Sequence, residues 1–276
     1  MGGFADLHKP MRIFIDTDIG SDVDDSLAIL YAAAKLPIAG ITTVHGYAGK
    51  RAQIATKMLQ AIGKEIPVRA GLDKPLASET IKVYGYEGKG ILDGTEAKPL
   101  GEAVEFLEKQ LTPGDSIIGI APLTNIASLL QKPGVKDKIG RLYLMGGVHK
   151  DYLPNKEKHN FKIDPEATDI VFASGVPITV LSNEVAKQVW FTPEDFEKLP
   201  KMPVFDYVRQ NAKDYLAARA QDRAYVYDPL TVMLIVHPEY FTIESRGRVS
   251  VTTKVNAERA KLELASTLDE LCKKSS

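Results

Sequence analysis

Apolar positions along this chain fall into short continuous runs, separated by stretches in which they recur every three or four residues. A run at 13–15 (Ile-Phe-Ile) leads into a segment with Leu27, Leu30 and Ala34 on one face, which predicts a buried strand followed by an amphipathic helix. That helix spans 24–35, with Asp24 or Asp25 placed to cap its N-terminus and Pro37 to end it. Further strands are predicted over 38–44, 67–70, 115–120, 141–145, 177–181 and 249–255, and helices over 50–62, 100–111, 204–219, 230–236 and 257–273. Residues 121–127 turn into another helix, and Asp164-Pro165 and Thr192-Pro193 each set a capping side chain before a proline at the first helical position. Strands alternating with helices give the βαβ rhythm of a parallel sheet. The expected fold is therefore α/β: one open, mostly parallel, Rossmann-like sheet flanked by helices, which gathers functional loops at the carboxyl ends of its strands.

Between 77 and 99 the periodicity disappears and glycines accumulate at Gly85, Gly88, Gly90 and Gly94. A loop of this length is expected to be a lid or an excursion from the body. It lacks the Gly-Lys-Ser/Thr ending of a phosphate-binding loop.

With 44% apolar residues in 276 and no linker-like composition shift, the chain is read as a single domain over 1–276. Its formal charge of −1 gives no general bias toward nucleic acid or anionic membrane, so neither is an expected partner and a small molecule is. No apolar run approaches membrane-spanning length. The single cysteine, Cys272, excludes an intrachain disulfide and suits a reducing compartment. The N-terminal residues lack the apolar core of a signal peptide, and a soluble cytoplasmic protein is expected.

The chemistry concentrates between the first strand and first helix, where five aspartates, Asp16, Asp18, Asp22, Asp24 and Asp25, fall within ten residues. Like charges at that density raise one another's pKa or cost stability unless a cation joins them. Carboxylates with no nearby Cys or His indicate a hard divalent ion, Ca²⁺ or Mg²⁺. A solvated acidic loop would not set Asp16 directly behind three strand-type apolar residues. An EF-hand fails on spacing: counting from Asp16, glycine falls at the fifth place and Leu27 stands at the twelfth, where Glu is required. A phosphatase of the haloacid-dehalogenase type, with its strand ending in Asp-x-Asp, fits this stretch alone.

Asp16-Thr17-Asp18-Ile19-Gly20 followed by Asp24-Asp25-Ser26-Leu27-Ala28-Ile29 resembles the N-terminal signature of the nucleoside hydrolases, with Asp22-Val23 inserted relative to its shorter form. The resemblance continues in the family's order through Thr42-Thr43-Val44 with Gly46, Pro122-Leu123-Thr124-Asn125-Ile126-Ala127, Leu144-Met145-Gly146-Gly147, Asn160 with Asp164-Pro165-Glu166-Ala167, and Asp228-Pro229. It covers roughly 12–236, and the ordered set displaces the phosphatase, whose downstream Lys and acidic motifs are missing. It implies an N-ribohydrolase that splits a nucleoside into ribose and free base with Ca²⁺, assembled as a homodimer or homotetramer. Carried over by motif, Asp18 is metal ligand and base for the attacking water, Asp25 a bidentate ligand, Thr124 a ligand through its backbone carbonyl, and Asp228 the last ligand. Asp24 and Asn160 hold ribose hydroxyls, Met145 lines the substrate site, and Asp16 supports the ligands from behind.

Four positions depart from the family pattern. Tyr47 stands where Asn is usual, Lys158 where a Glu binds the 5′-hydroxyl end, and Tyr84 and Tyr227 where many members have His. All four are expected at the substrate, Tyr227 as the candidate donor to the leaving base and Lys158 as an attractor of an anionic 5′ group or else a member of a solvated charge run. His45, His149 and His159 are expected to be structural. A non-catalytic nucleoside- or ribose-binding paralogue is the competing reading of these changes.

Overall fold

The computed structural model describes residues 11–77, 79, 81, 83–92 and 101–274. The N-terminal ten residues, Gly94 and the expected helix start at Leu100 lie outside them. In chain order the elements are β1 (Ile13–Thr17), α1 (Asp24–Lys35), β2 (Ile38–Thr43), α2 (Ala48–Ala61), β3 (Val68–Ala70), α3 (Ala103–Gln110), β4 (Asp115–Gly119), α4 (Thr124–Leu130), β5 (Ile139–Met145), α5 (His159–Ile163) and α6 (Pro165–Ala173). They continue with β6 (Ile178–Leu181), α7 (Asn183–Ala186), β7 (Trp190–Phe191), α8 (Pro193–Glu197), α9 (Pro203–Arg219), β8 (Ala224–Tyr225), α10 (Tyr227–Val236), β9 (Phe241–Arg246), β10 (Val249–Val255) and α11 (Ala257–Lys274).

Eight strands form one sheet in the order β3-β2-β1-β4-β5-β6-β10-β9, parallel except for β9. β1 is buried along its whole length because it is central and covered on both faces. Ile13 and Ile15 pack into the larger core beneath α1, α2, α9 and α10, whereas Phe14 points to the opposite side with Val104, Leu107, Ile126 and Val171. The strand alternation thus assigns successive side chains to two cores, one on each face. The chain reverses its direction of travel across the sheet at β1, which pairs with β2 on one side and β4 on the other. In such sheets the crevice beyond the carboxyl ends of these strands is where ligands bind.

The expected elements are present, with boundaries displaced by a few residues. Two differences are instructive. Val23, not Asp24 or Asp25, is the N-cap of α1, and no side chain caps it; the two aspartates lie in the first turn, where the positive end of the helix dipole favours them while their carboxylates turn toward the site. β9 is absent from the sequence reading because an edge strand exposed along Thr242–Arg246 needs no apolar run; it closes a hairpin onto β10 through Gly247 at φ 61. Gly146 and Gly147 serve packing: an added Cβ would lie 2.3 Å from the Phe161 ring and 2.9 Å from the Lys158 Cβ, so they admit α5 against β5. No described helix is long and apolar enough to cross a membrane.

Candidate active site

At the end of β1, Asp16 is buried behind the crevice, its Oδ1 accepting from Thr42 Oγ1 at 2.6 Å and from Asn125 Nδ2 at 2.8 Å. Burial outweighs these hydrogen bonds and pushes its carboxyl up to about 7. Thr17 Oγ1 turns back to donate to Asp25 Oδ1 at 2.5 Å and accepts from the Ile19 N–H at 3.1 Å, closing the loop that carries Asp18. The first turns of α1 and α10 meet here. Carboxylate oxygens of Asp24, Asp25 and Asp228 all lie within 4.8 Å of one another, and all three residues are buried.

Three carboxylates so arranged cannot all ionise without a cation. Burial, then the charge of Asp22, pushes Asp24 up to about 8. Burial with the neighbouring aspartates drives Asp25 and Asp228 well above the ordinary carboxylate range. An all-oxygen donor set of this charge fits a hard divalent metal. Asp18 stands beside the group and its charge bears on Asp16, Asp24, Asp25 and Asp228 alike. Thr124 is buried at the start of α4 and donates its hydroxyl to Asp164 Oδ2 at 2.6 Å. Asp22 turns to an ion pair with Arg219 and stands outside the group of three.

The carboxylates form the floor of a cavity of about 1010 Å³. Asp18, Asp24, Asn160, Met145, Tyr84 and Tyr227 all line it. Asn160 Nδ2 points to the Met145 carbonyl at 3.4 Å. Tyr227 packs between His159, with ring centroids 5.2 Å apart, and Tyr225. Burial, then Asp24, raises its phenol above the ordinary tyrosine value, which makes it a hydrogen-bond donor more readily than an acid.

Two expected contacts fail. Tyr47 is 51% exposed, carries Lys50 Nζ over its ring at 5.7 Å and does not line the cavity. The cause is backbone: His45, Gly46 and Tyr47 take φ values of 63, 46 and 64 in succession, and this left-handed turn swings the Tyr47 side chain outward. Lys158 is also exposed and outside the cavity, its Cβ lying over Gly147, while His159 (φ 45) and Asn160 turn in. His45 and His159, expected to be structural, both reach the cavity wall; His149 does not.

Two arginines went unnoticed in the sequence. Arg219 ends α9 and lines the cavity. Arg51, on α2, is fully buried. Its Nε donates to the His45 and Gly46 carbonyls at 2.7 and 2.8 Å, Nη1 to those of Asp18 and Ile19, and Nη2 to Ser21 Oγ at 3.0 Å. Ser21 in turn donates to Glu87 Oε1 at 3.0 Å, and Glu87 accepts from the Tyr84 and Gly85 N–H groups. One guanidinium thus holds the loop bearing Asp18, the left-handed turn and, through Ser21, the segment bearing Tyr84. Only the basic composition of α2 hinted at it.

A cavity floored by buried carboxylates at the carboxyl edge of a doubly wound sheet lies where α/β proteins bind small ligands, and its acidic triad could hold a metal ion. The chain belongs to the inosine-uridine preferring nucleoside hydrolase family, whose model matches residues 13–270. It is 32% identical over 279 residues to a probable uridine nucleosidase 1 of Oryza sativa subsp. japonica, covering 92% of this chain and 85% of the relative. To the pyrimidine-specific ribonucleoside hydrolase RihA of Photobacterium profundum it is 33% identical over 253 residues, 83% of this chain and 81% of that one. Its fold is shared with the purine-preferring ribonucleoside hydrolase from Gardnerella vaginalis, at a TM-score of 0.79 and 24% identity over 95% of this chain and 99% of the other. The protein is accordingly a nucleoside hydrolase, an enzyme that cleaves the N-glycosidic bond of ribonucleosides with water.

Proposed function

We propose that this enzyme hydrolyses pyrimidine ribonucleosides, uridine foremost, with Ca²⁺ as its resident metal. The observation that carries the metal is the buried group of Asp24, Asp25 and Asp228, whose carboxylate oxygens lie within 4.8 Å of one another. Asp18, Asp25 and Asp228 through carboxylates, and Thr124 through its carbonyl, would hold the ion. When bound, it supplies counter-charge and acidifies water at the site. Asp18 then removes the proton from the water that attacks the ribose. Asp24 and Asn160 hold ribose hydroxyls, Met145 lies alongside, and Asp16 supports the ligands from behind. The acidic walls stabilise the positive charge that develops on the sugar as the bond breaks, while Tyr84 and Tyr227 meet the base.

The preference for uridine is supported by relatives named as uridine nucleosidase and pyrimidine-specific hydrolase. We extend the proposal to a single catalytic domain over 1–276, a homodimeric or homotetrameric assembly and a cytoplasmic location. Release of reducing sugar from uridine, cytidine, inosine and adenosine, with Ca²⁺ and after chelation, tests substrate and metal together. Uridine is expected to lead, and chelation to abolish turnover that Ca²⁺ restores. Asp18→Asn is expected to lower kcat by about 10²–10⁴-fold, the usual range for a lost general base, with an unchanged melting temperature. Near-normal turnover in that variant would remove Asp18 from the mechanism.

A further inference from the structure

We propose that Glu87 is a positioning residue for the metal site. Tied through the Ser21 hydroxyl to the buried Arg51 guanidinium, it makes the loop bearing Asp18 and the segment bearing Tyr84 one unit, so that metal binding and the placement of that segment are coupled. This deepens the reading above and rests on the acidic group holding Ca²⁺.

The loop after β1 takes its shape from side chains that lie far away in the sequence. Its four successive carbonyls are all occupied: those of Asp18 and Ile19 by Arg51 Nη1, that of Gly20 by Asn211 Nδ2 at 3.2 Å, and that of Ser21 by the Tyr86 hydroxyl at 2.8 Å. Arg51 comes from α2, Asn211 from α9 and Tyr86 from the segment that also carries Tyr84 and Glu87.

Ser21 stands between two enclosed charges. Arg51 is fully buried and Glu87 is 1% exposed. Ser21 Oγ accepts from Arg51 Nη2 at 3.0 Å and donates to Glu87 Oε1 at 3.0 Å. Among the described residues neither charge forms an ion pair of its own, so this hydroxyl is what joins cation to anion. Glu87 turns its remaining capacity to backbone, with Oε1 accepting from the Tyr84 N–H at 2.7 Å and Oε2 from the Gly85 N–H at 2.8 Å. Burial would raise its carboxyl, but the N–H groups of Tyr84, Glu87 itself and Gly85, with the Ser21 hydroxyl, hold it below the usual range.

Hydrogen bonds to a buried charge are short, directional and costly to leave unmade. A displacement of Ser21 is therefore passed to the backbone of Tyr84 across a single side chain. Ser21 lies between Asp18 and Asp25 in the chain, so a cation that joins those carboxylates fixes both ends of the loop that carries it. Coupling of this kind is reciprocal: whatever loosens Glu87 weakens the metal. The rival reading makes Glu87 a local cap on the turn at Tyr84 and Gly85, with no influence on the metal.

The test uses full-length wild type, Glu87→Gln, Ser21→Ala and Ser21→Thr, each freed of metal with a chelator. Ca²⁺ alone is titrated in by calorimetry, amide exchange over 84–92 is followed with and without it, and melting temperatures are recorded. In wild type Ca²⁺ is expected to slow exchange over 84–92. Glu87→Gln and Ser21→Ala should each weaken Ca²⁺ binding about 10-fold, within the usual scale of coupling between two sites, and remove that slowing. Ser21→Thr, which keeps the hydroxyl, should retain both. A variant with a lower melting temperature but wild-type Ca²⁺ affinity would make Glu87 a local cap, and a loss of the slowing in Glu87→Gln but not in Ser21→Ala would remove the relay; either overturns the proposal. Exchange in wild type that ignores Ca²⁺ overturns it as well. Wild type that takes up no Ca²⁺ overturns the metal reading together with this one, whereas equal uptake by all four proteins overturns this one alone.

Discussion

The backbone N–H of Asp228 donates to the Asp24 carboxylate at 3.3 Å, joining the first turns of two helices whose contacting residues stand 204 positions apart. That bond holds two acidic side chains together at a place where their charges oppose it. Folding therefore does the electrostatic work of assembling the site, and a metal or protons must complete it.

Stability without metal should therefore fall as pH rises. Burial pushes Asp16 up to about 7 and Asp24 up to about 8, and burial with the neighbouring aspartates drives Asp25 and Asp228 well above the ordinary carboxylate range, against about 3.9 in the unfolded chain. Over that interval the folded state binds more protons than the unfolded one, so these groups favour folding below the unfolded value and the benefit is lost as pH rises through the folded ones. Melting temperatures of chelator-treated protein are expected to drop between about pH 5 and pH 8, with Ca²⁺ removing most of the drop. A flat profile without metal would show that the acids are already compensated.

Asp25→Ala should weaken Ca²⁺ binding more than Asp22→Ala. Asp25 belongs to the close carboxylate group, whereas Asp22 is spent on Arg219. Calorimetric titration of both variants orders them, and the reverse order would show that the inserted Asp22-Val23 pair moves the metal.

Lys158→Glu should leave the ratio of specificity constants for uridine and uridine 5′-monophosphate unchanged. The side chain is exposed and off the cavity, so it neither attracts a 5′ phosphate nor excludes one. A ratio shifted toward uridine in the variant would bring Lys158 back into the site.

Arg51→Met should cost about 3 kcal/mol or more of stability, because it strands several buried carbonyls that bond to the guanidinium. Arg51→Lys should retain the fold better yet lower kcat more than it changes KM, since one ammonium cannot span both Asp18 and His45. Urea unfolding and steady-state kinetics separate the two effects. A Lys variant with wild-type kcat would mean that the loop holds Asp18 without help.

The order of strands and helices and the acidic turn between β1 and α1 were legible in the sequence. Each depends on neighbours in the chain: a buried strand needs a continuous apolar run, a helix a recurring face, and a repelling set of aspartates needs a cation wherever the chain ends up. The family motifs placed Asp18, Asp24, Asn160, Met145 and Asp228 along the sequence, and the fold brings them to one cavity.

What tertiary structure alone decided were directions and distant partners. Tyr47 and Lys158 hold motif positions yet face solvent, because left-handed turns at 45–47 and at His159 reorient side chains without leaving a mark in hydrophobic periodicity. Arg219 looks like the basic end of an ordinary helix until folding sets it against Asp22, 197 positions away. Arg51 looks like a surface residue until five oxygens from two loops close around it. A sequence records which faces are apolar; it does not record which polar groups will meet when those faces are buried, because that pairing exists only once the sheet has brought its loops to one edge.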